Sequence, residues 1–339
     1  MKKILFFCIL SFMFSGLLLS QNNDSIQYPT FQFEGVLKTK FEWATEEGST
    51  RFGVRNSRLG VSGQVIPKLK YNAKIELSDE GDFKVLDVNG TYQHNDYLSI
   101  KIGQFSLPIF NSYTTDPGTM MFANRTFLAK YYMSTRDIGM LVTYDFPQFN
   151  IPVRAEIGVF NGNSSNTVKW ADKKSFSGRL TLGDMQGLRS TFKFYDNHRL
   201  GESEDEFLHH FTYGADVRYA QENWKIESEA LIKKDLTVEI EYLAAYLQSA
   251  YAFQTRQDGL IKHIIPAVRY DFLDQNRNIG NFDVQRLSVG LGLGLDVIPF
   301  QSILRIDYEW YFENNLIPML NETDEMNSDK ISLELVLMF

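Results

Sequence analysis

Apolar and polar residues alternate with a period of two over most of the chain. The last nine residues show it plainly: Ile331, Leu333, Leu335, Leu337 and Phe339 share one face, and Ser332, Glu334, Val336 and Met338 share the other. Successive side chains of an extended strand point to opposite sides, so this period predicts β-strand. The same alternation predicts strands over Phe33–Trp43, Phe52–Ile66, Leu69–Ser78, Phe83–Tyr92 and Tyr97–Phe105, and then a long interruption. Eleven more follow at Ile138–Phe146, Val153–Asn161, Ser175–Asp184, Leu188–Asp196, Leu208–Ala220, Trp224–Lys234, Glu239–Phe253, Leu260–Leu273, Phe282–Ile298, Ser302–Glu313 and Lys330–Phe339. The sum, about sixteen, is even, as an antiparallel barrel with both ends on one side of a membrane requires.

The faces are consistent from strand to strand. Leu304, Ile306, Tyr308, Trp310 and Phe312 are expected to meet lipid, with Arg305, Asp307, Glu309 and Tyr311 inside. Phe211, Tyr213, Ala215, Val217 and Tyr219 are expected outside, with Thr212, Asp216 and Arg218 inside. Aromatics near strand ends, including Trp43, Tyr92, Tyr144, Phe146, Trp224, Trp310 and Phe312, suit the girdles at the two membrane interfaces. Tight turns at Ile66-Pro-Lys68, His94-Asn-Asp96, Phe146-Pro147, Gly183 to Gly187, Gln221-Glu-Asn223 and Pro299-Phe-Gln301 belong on the periplasmic side, and the longer polar segments outside. Beyond the first twenty residues no apolar run is long enough to span as a helix, and lipid offers the backbone no hydrogen bonds. The remaining way to cross is a closed barrel. The expected fold is therefore all-β, an antiparallel transmembrane β-barrel of about sixteen strands. A soluble sandwich or β-helix shares the alternation, but there is no linker, domain boundary or short-period repeat to support one.

Composition alone would mislead, since 44% hydrophobic residues resembles a soluble protein; in a barrel only every second residue meets lipid. Lys2 and Lys3 precede an apolar run from Ile4 to Phe14, and the small Ser20 precedes Gln21, which reads as a secretory signal peptide over residues 1–20 with the barrel domain over 21–339. Its apolar run is shorter than the ~20 residues of a spanning helix. Cys8, the single cysteine, leaves with it, so no disulfide is expected. Cleavage moves the formal net charge from -8 to -10, which excludes nucleic acid as a partner. Many of the acids sit in loops, as in Glu202-Ser-Glu-Asp-Glu206 and Glu322-Thr-Asp-Glu325. The terminal Phe339 resembles the signal read by the barrel-assembly machinery, which places the protein in the bacterial outer membrane among its lipids and lipopolysaccharide.

The interruption from Ser106 to Arg136 is far longer than the ~4 to 6 residues of an ordinary loop, and long loops in compact folds are mostly functional. We expect it to fold inward and narrow the lumen, with Arg125, Lys130 and Arg136 at the constriction. Arginine suits anions through its fixed fork of donors, and lysine acts as a mobile point charge. Inward positions supply Lys38, Lys40, Lys70, Lys74, Lys101, Arg179, Arg218, Arg269 and Arg305, but also Glu42, Glu76, Glu227, Glu229, Asp271 and Asp307. Within this mixed lumen Arg58, Lys74 and Arg269 are expected to form a basic track.

Three segments in order, Arg55-Asn-Ser-Arg58-Leu-Gly-Val-Ser-Gly63, Gly103-Gln-Phe-Ser-Leu-Pro108 followed by Asn124-Arg125, and Arg136-Asp-Ile-Gly139, resemble the motifs of the phosphate-selective porin O and P family. Tyr213-Gly-Ala-Asp216 with Glu227-Ser-Glu229, and Arg269-Tyr-Asp271 with Asp274, resemble its downstream segments, so the resemblance spans most of the chain. It implies a sixteen-stranded homotrimeric channel whose inward loop and lumenal basic residues guide anions. Two departures stand out: the second-strand motif carries fewer arginines than the family pattern, and Asn124 occupies the position of an acid. The expected function is an outer-membrane diffusion channel for small polar solutes, with a bias towards anions such as phosphate as the finer expectation. The alternative is a non-conducting barrel serving as an adhesin or structural surface protein.

No enzyme activity, cofactor or metal is expected. Only one of His209 and His210 can face inward, and one histidine with scattered serines makes no Ser-His pair. Asp274-Gln-Asn276-Arg-Asn278-Ile-Gly280 spaces oxygen ligands like a calcium loop, but Gln285 stands where a bidentate glutamate would be needed. Gly290-Leu-Gly292-Leu-Gly294 has no following helix to make a phosphate cradle, and glycine there relieves crowding or lets the strand bend.

Overall fold

Sixteen strands, each antiparallel to its chain neighbours, close into one barrel in the computed structural model, which describes residues 27–77, 83–111, 115–128, 135–170, 172–184, 186–201, 207–256, 258–278, 283–314 and 328–339. They are β1 (Gln32–Ala44), β2 (Thr50–Val54 and Ser57–Ile66), β3 (Leu69–Leu77), β4 (Phe83–Gln93), β5 (Leu98–Ser106), β6 (Arg136–Asp145), β7 (Val153–Phe160) and β8 (Ser175–Gly183). The second half comprises β9 (Gly187–Leu200), β10 (Phe207–Gln221), β11 (Trp224–Asp235), β12 (Ile240–Tyr251 and Phe253–Gln254), β13 (His263–Asp274), β14 (Asp283–Gly294), β15 (Ile303–Asn314) and β16 (Lys330–Met338). β2 breaks at Arg55 and Asn56, where Asn56 takes φ 59°, a left-handed conformation that asparagine tolerates better than most residues. β12 breaks at Ala252. The proposed signal peptide lies outside the described residues.

Closure runs along β1 and β16, in register from Val36 opposite Met338 to Ala44 opposite Lys330. Beyond that register Gly35 and Phe339 exchange backbone hydrogen bonds of 2.7 and 3.1 Å. Glycine at 35 lets the Phe339 ring lie over the backbone, since a Cβ there would stand 2.2 Å from that ring and push it aside. Pairing the first and last strands removes the open edges that a bilayer would leave unsatisfied.

The two faces separate by chemistry. Leu333 and Leu337 on β16, Phe339 just beyond it, and Ile306, Trp310 and Phe312 on β15 are exposed, whereas Glu334, Ser332, Glu309, Asp307 and Arg305 are buried. An exposed apolar face and an enclosed charged one invert a soluble protein, and fit a barrel with lipid outside. Aromatic pairs mark one rim, with Tyr144 and Phe146 at 4.8 Å and Trp224 and Tyr251 at 4.8 Å, beside short turns.

Several boundaries differ from the sequence reading. β9 runs to Leu200 rather than Asp196, carried past the apolar band by pairing with β10 up to Phe207. β14 stops at Gly294 rather than Ile298, because Asp296 caps a turn by accepting from Ile298 N at 3.0 Å and Phe300 takes φ 66°. β13 starts at His263 rather than Leu260, since Thr255 and Lys262 close a turn instead. β6 starts at Arg136, opposite Ser106 of β5, so the long segment leaves and re-enters the wall at one point.

Candidate functional site

Inward charges are tied into ion pairs around the wall. Lys38 meets Glu334 at 3.0 Å, and Arg305 Nε donates to the same carboxylate at 2.7 Å. Arg286 meets Asp271 at 2.6 Å and Glu309 at 3.2 Å, while Arg269 meets the same two acids at 3.1 Å each. Lys193 lies between Asp216, at 2.6 Å, and Glu229. A charge withdrawn from water has to be compensated, and these pairs do so.

The described residues between 107 and 128 lie among these side chains, and their backbone is satisfied by them. Ala123 N donates to Asp307 at 2.7 Å, and its carbonyl accepts from Lys38 at 3.0 Å. The carbonyls of Met120, Asn124 and Arg125 accept from Arg305, Arg269 and Arg286 at 2.6, 2.8 and 2.7 Å. Asn111 N donates to Glu229 at 2.8 Å. A segment without strand partners must find hydrogen bonds somewhere, and here charged wall residues supply them.

Apolar anchors fix the same segment. Leu107, Ile109, Phe110, Phe127 and Leu128 pack with Leu231, Ala244, Leu273 and Val284, and Met121 and Phe122 pack with Val36, Ile265, Ile303 and Val336. These strand residues occupy inward positions, where alternation alone predicts polar groups, and they are sockets for the segment. Arg269 lies over the Phe122 ring at 4.6 Å and Arg286 over Phe127 at 4.5 Å, favourable contacts between cation and π-face. Gly290 provides room: a Cβ there would stand 2.4 Å from Asp307 Oδ1 and 3.2 Å from Phe122. Relief of crowding is thus the role of this glycine.

The sequence-derived residues fall in separate places. Arg136 opens β6, buried and 3.1 Å from Asp87. Arg125 lines a cavity of about 20 Å³ with Phe122, Glu227, Gln248 and Arg269. Lys130 lies outside the described residues. Arg58 is held by Glu76 at 2.6 Å, and Lys74 by Glu34 at 2.6 Å with Asp116 at 3.8 Å. Of the expected track, only Arg58 and Lys74 are neighbours in the wall, two residues apart in the β2–β3 register. Arg269 is on β13, next to Arg125.

A larger space lies between the segment and the wall of β5–β10. It measures about 510 Å³ and is bounded by Leu107, Pro108, Asn111 and Thr115 on one side. Its wall carries five cations, Lys101, Arg154, Arg179, Arg189 and Arg218, against three carboxylates, Asp145, Glu156 and Asp184. Arg189 and Arg218 are direct cross-strand partners, an arrangement that costs energy unless acids or a ligand offset it. The offset is uneven: Asp145 holds Arg154 through two hydrogen bonds of 2.6 and 2.9 Å, Arg218 is 3.0 Å from Glu227, Arg189 donates to Asn111 and is 3.5 Å from Asp216, and Arg179 is 3.7 Å from Glu156. Lys101 lies over the Phe105 ring at 5.3 Å. Pro152 and Gly183 place this vestibule near the periplasmic turns. Towards the other rim a pocket of about 110 Å³ is lined by Arg136, Asp137, Arg199, His210 and Lys233. Leu107 borders both spaces. Sequence reading placed Lys101, Arg179 and Arg218 inside but did not single them out, and it missed Arg154 and Arg189; the cross-strand arginine pair was the available signal.

A family model described as phosphate-selective porin O and P matches residues 39–256. No curated protein matches the chain. Among solved structures the fold is similar to an anion-selective porin from Comamonas acidovorans, at 13% identity and TM-score 0.62, covering 91% of this chain and 99% of that one. It is also similar to the trimer form of OmpT, an outer-membrane protein of Vibrio cholerae, at 12% identity and TM-score 0.61, covering 91% and 99%. The outer-membrane channel DcaP of Acinetobacter baumannii aligns at 12% identity and TM-score 0.58, covering 91% and 97%. At such identities these likenesses show the fold alone.

Proposed function

Since the chain belongs to the phosphate-selective porin O and P family of bacterial outer-membrane channels, we propose that it passes small polar solutes by diffusion and prefers anions. The observation that carries the preference is the 510 Å³ vestibule, whose lining presents Lys101, Arg154, Arg179, Arg189 and Arg218 while Asp216 and Glu227, the partners of Arg189 and Arg218, stand outside that lining. The anion selectivity of the Comamonas porin of the same fold supports it. An aqueous lumen removes the cost of moving a charge through hydrocarbon, and a cation surplus in a narrow low-dielectric passage raises local anion concentration.

The route runs along the β5–β11 wall. The two spaces it would join are the pocket of Arg136, Arg199 and Lys233 and the vestibule of Arg189, Arg218 and Arg179, with the buried Leu107 between them, so that passage requires the segment at Leu107 to shift. Arg58, Lys74 and Arg269 serve mainly to neutralise acids and hold the inward segment, so they shape the route more than they attract solute. Phosphate is one solute of fitting charge and size, and the family label does not by itself select it. The chain assembles as a homotrimer in this reading, as the OmpT trimer form does.

Uptake into liposomes tests the channel itself. Vesicles containing the folded barrel should swell in isotonic solutions of small sugars and small organic anions, faster for the anion at equal size, with uptake falling steeply as solute size grows. No swelling from a barrel shown to be folded would favour the plugged surface-protein reading.

A further inference from the structure

On the outer face, away from the lumen, three side chains with metal-ligating atoms converge. Asp196 and His198 are two residues apart on β9, and His209 on β10 is the direct cross-strand partner of His198. One ligand atom from each lies within 4.8 Å of both others. The imidazole rings stack at 4.1 Å and 18°, and His209 Nε2 is 2.7 Å from Asp196 Oδ1. His210 takes no part, because it points inward to Asp235 at 2.9 Å.

The backbone dictates this meeting. Residues i and i+2 of a strand share a face, and the residue opposite on the next strand lies beside them, so the fold holds all three at short range without a loop. Polar groups facing out at the lipid level would be costly, but these sit above Phe194 and Phe211, stacked at 6.4 Å, near the hairpin end of β9 and β10. They therefore stand at the outer headgroup level. Stacking two histidines and a carboxylate there does nothing for the lumen.

We propose that Asp196, His198 and His209 bind one divalent transition-metal ion of the zinc class. Two imidazole nitrogens and one carboxylate oxygen suit Zn²⁺, Cu²⁺ or Ni²⁺ rather than the all-oxygen preference of Mg²⁺ or Ca²⁺. Bonds of about 2.0–2.1 Å in a tetrahedral set put ligands about 3.3 Å apart, so on binding the two imidazoles turn out of their stack until both in-plane lone pairs point at the ion. The tautomer of His209 that carries its proton on Nδ1 leaves Nε2 free for the metal. Three protein ligands leave coordination open towards the outside, where water or an oxyanion completes the shell.

The test uses tag-free full-length protein folded in a zwitterionic detergent. Calorimetric titration with Zn²⁺ alone should show a single saturable site, weakened at least about tenfold in His198→Phe and in His209→Phe, with His94→Ala unchanged. Phenylalanine keeps the stacked pair, and heat-modifiable mobility on gels reports folding. Cu²⁺ electron paramagnetic resonance on the wild type should show coupling to two nitrogens, which reads the ligands even if a variant fails to fold. Absence of saturable binding by the folded wild type, binding retained in both histidine variants, or oxygen-only Cu²⁺ ligation would overturn the proposal.

Discussion

Replacing Ile109 to Leu128 with a short Gly-Ser bridge is expected to raise single-channel conductance several-fold while leaving the barrel closed. The wall is held by strand-to-strand hydrogen bonds and by the β1–β16 seam, none of which uses this segment. What the segment fills is the interior: Ile109, Phe110, Phe122 and Phe127 are at most 1% exposed. A sixteen-stranded barrel without such filling encloses an aqueous channel. Lys38, Arg269, Arg286, Arg305 and Asp307 lose backbone partners in the variant, but water replaces them, and the ion pairs of the four cations to Glu334, Asp271 and Glu309 remain. Planar-bilayer recording checks this. Unchanged conductance would mean that current does not pass the segment at all.

Glu309→Ala is expected to destabilise the folded barrel by about 3–5 kcal/mol, the range for removing one partner of a buried ion pair. Glu309 is fully buried and is shared by Arg269 and Arg286 at 3.1 and 3.2 Å, and its other oxygen accepts from Tyr311 at 2.8 Å. Its loss leaves two guanidinium groups with Asp271 as their remaining carboxylate. Denaturant unfolding in micelles measures the effect. In the background lacking the segment the same substitution should cost much less, because water then reaches both arginines, and the difference isolates the coupling. Equal losses in both backgrounds would show that the lumen is already wet around Glu309.

The period of two made strand number, faces and most turns legible in the sequence. It missed the break at Ala252, where the residues on either side keep the alternation; at Arg55–Asn56 the outward face passes from Phe52 and Val54 to Leu59, a one-residue slip that a single continuous strand over Phe52–Ile66 overlooks. It misjudged the ends of β9 and β14, which are set by partner length and by a capped turn. The interior was legible only in part. Arg58 and Arg218 look alike along the chain and each meets a glutamate, Glu76 at 2.6 Å and Glu227 at 3.0 Å, yet of the two only Arg218 also lines the vestibule. Which acid neutralises which cation depends on register across strands, which alternation does not encode. Val36, Leu231, Leu273 and Val284 break the inward polar pattern, and together with the buried residues of 107–128 they explain one another. The outward pair of His198 and His209 was hidden for the same reason, being formed only when β9 and β10 align.

The central claim is that solute moves past the cation-rich wall of the vestibule. The reversal potential of the reconstituted protein in a salt gradient tests it most directly, comparing wild type, Arg179→Glu with Arg218→Glu, and Arg58→Ala with Arg269→Ala. The account predicts anion preference in the wild type, its loss or reversal in the vestibule pair, and smaller change in the other pair beyond any loss of folded protein. Cation preference in the wild type, or a reversal potential indifferent to charge reversal at Arg179 and Arg218, would contradict it.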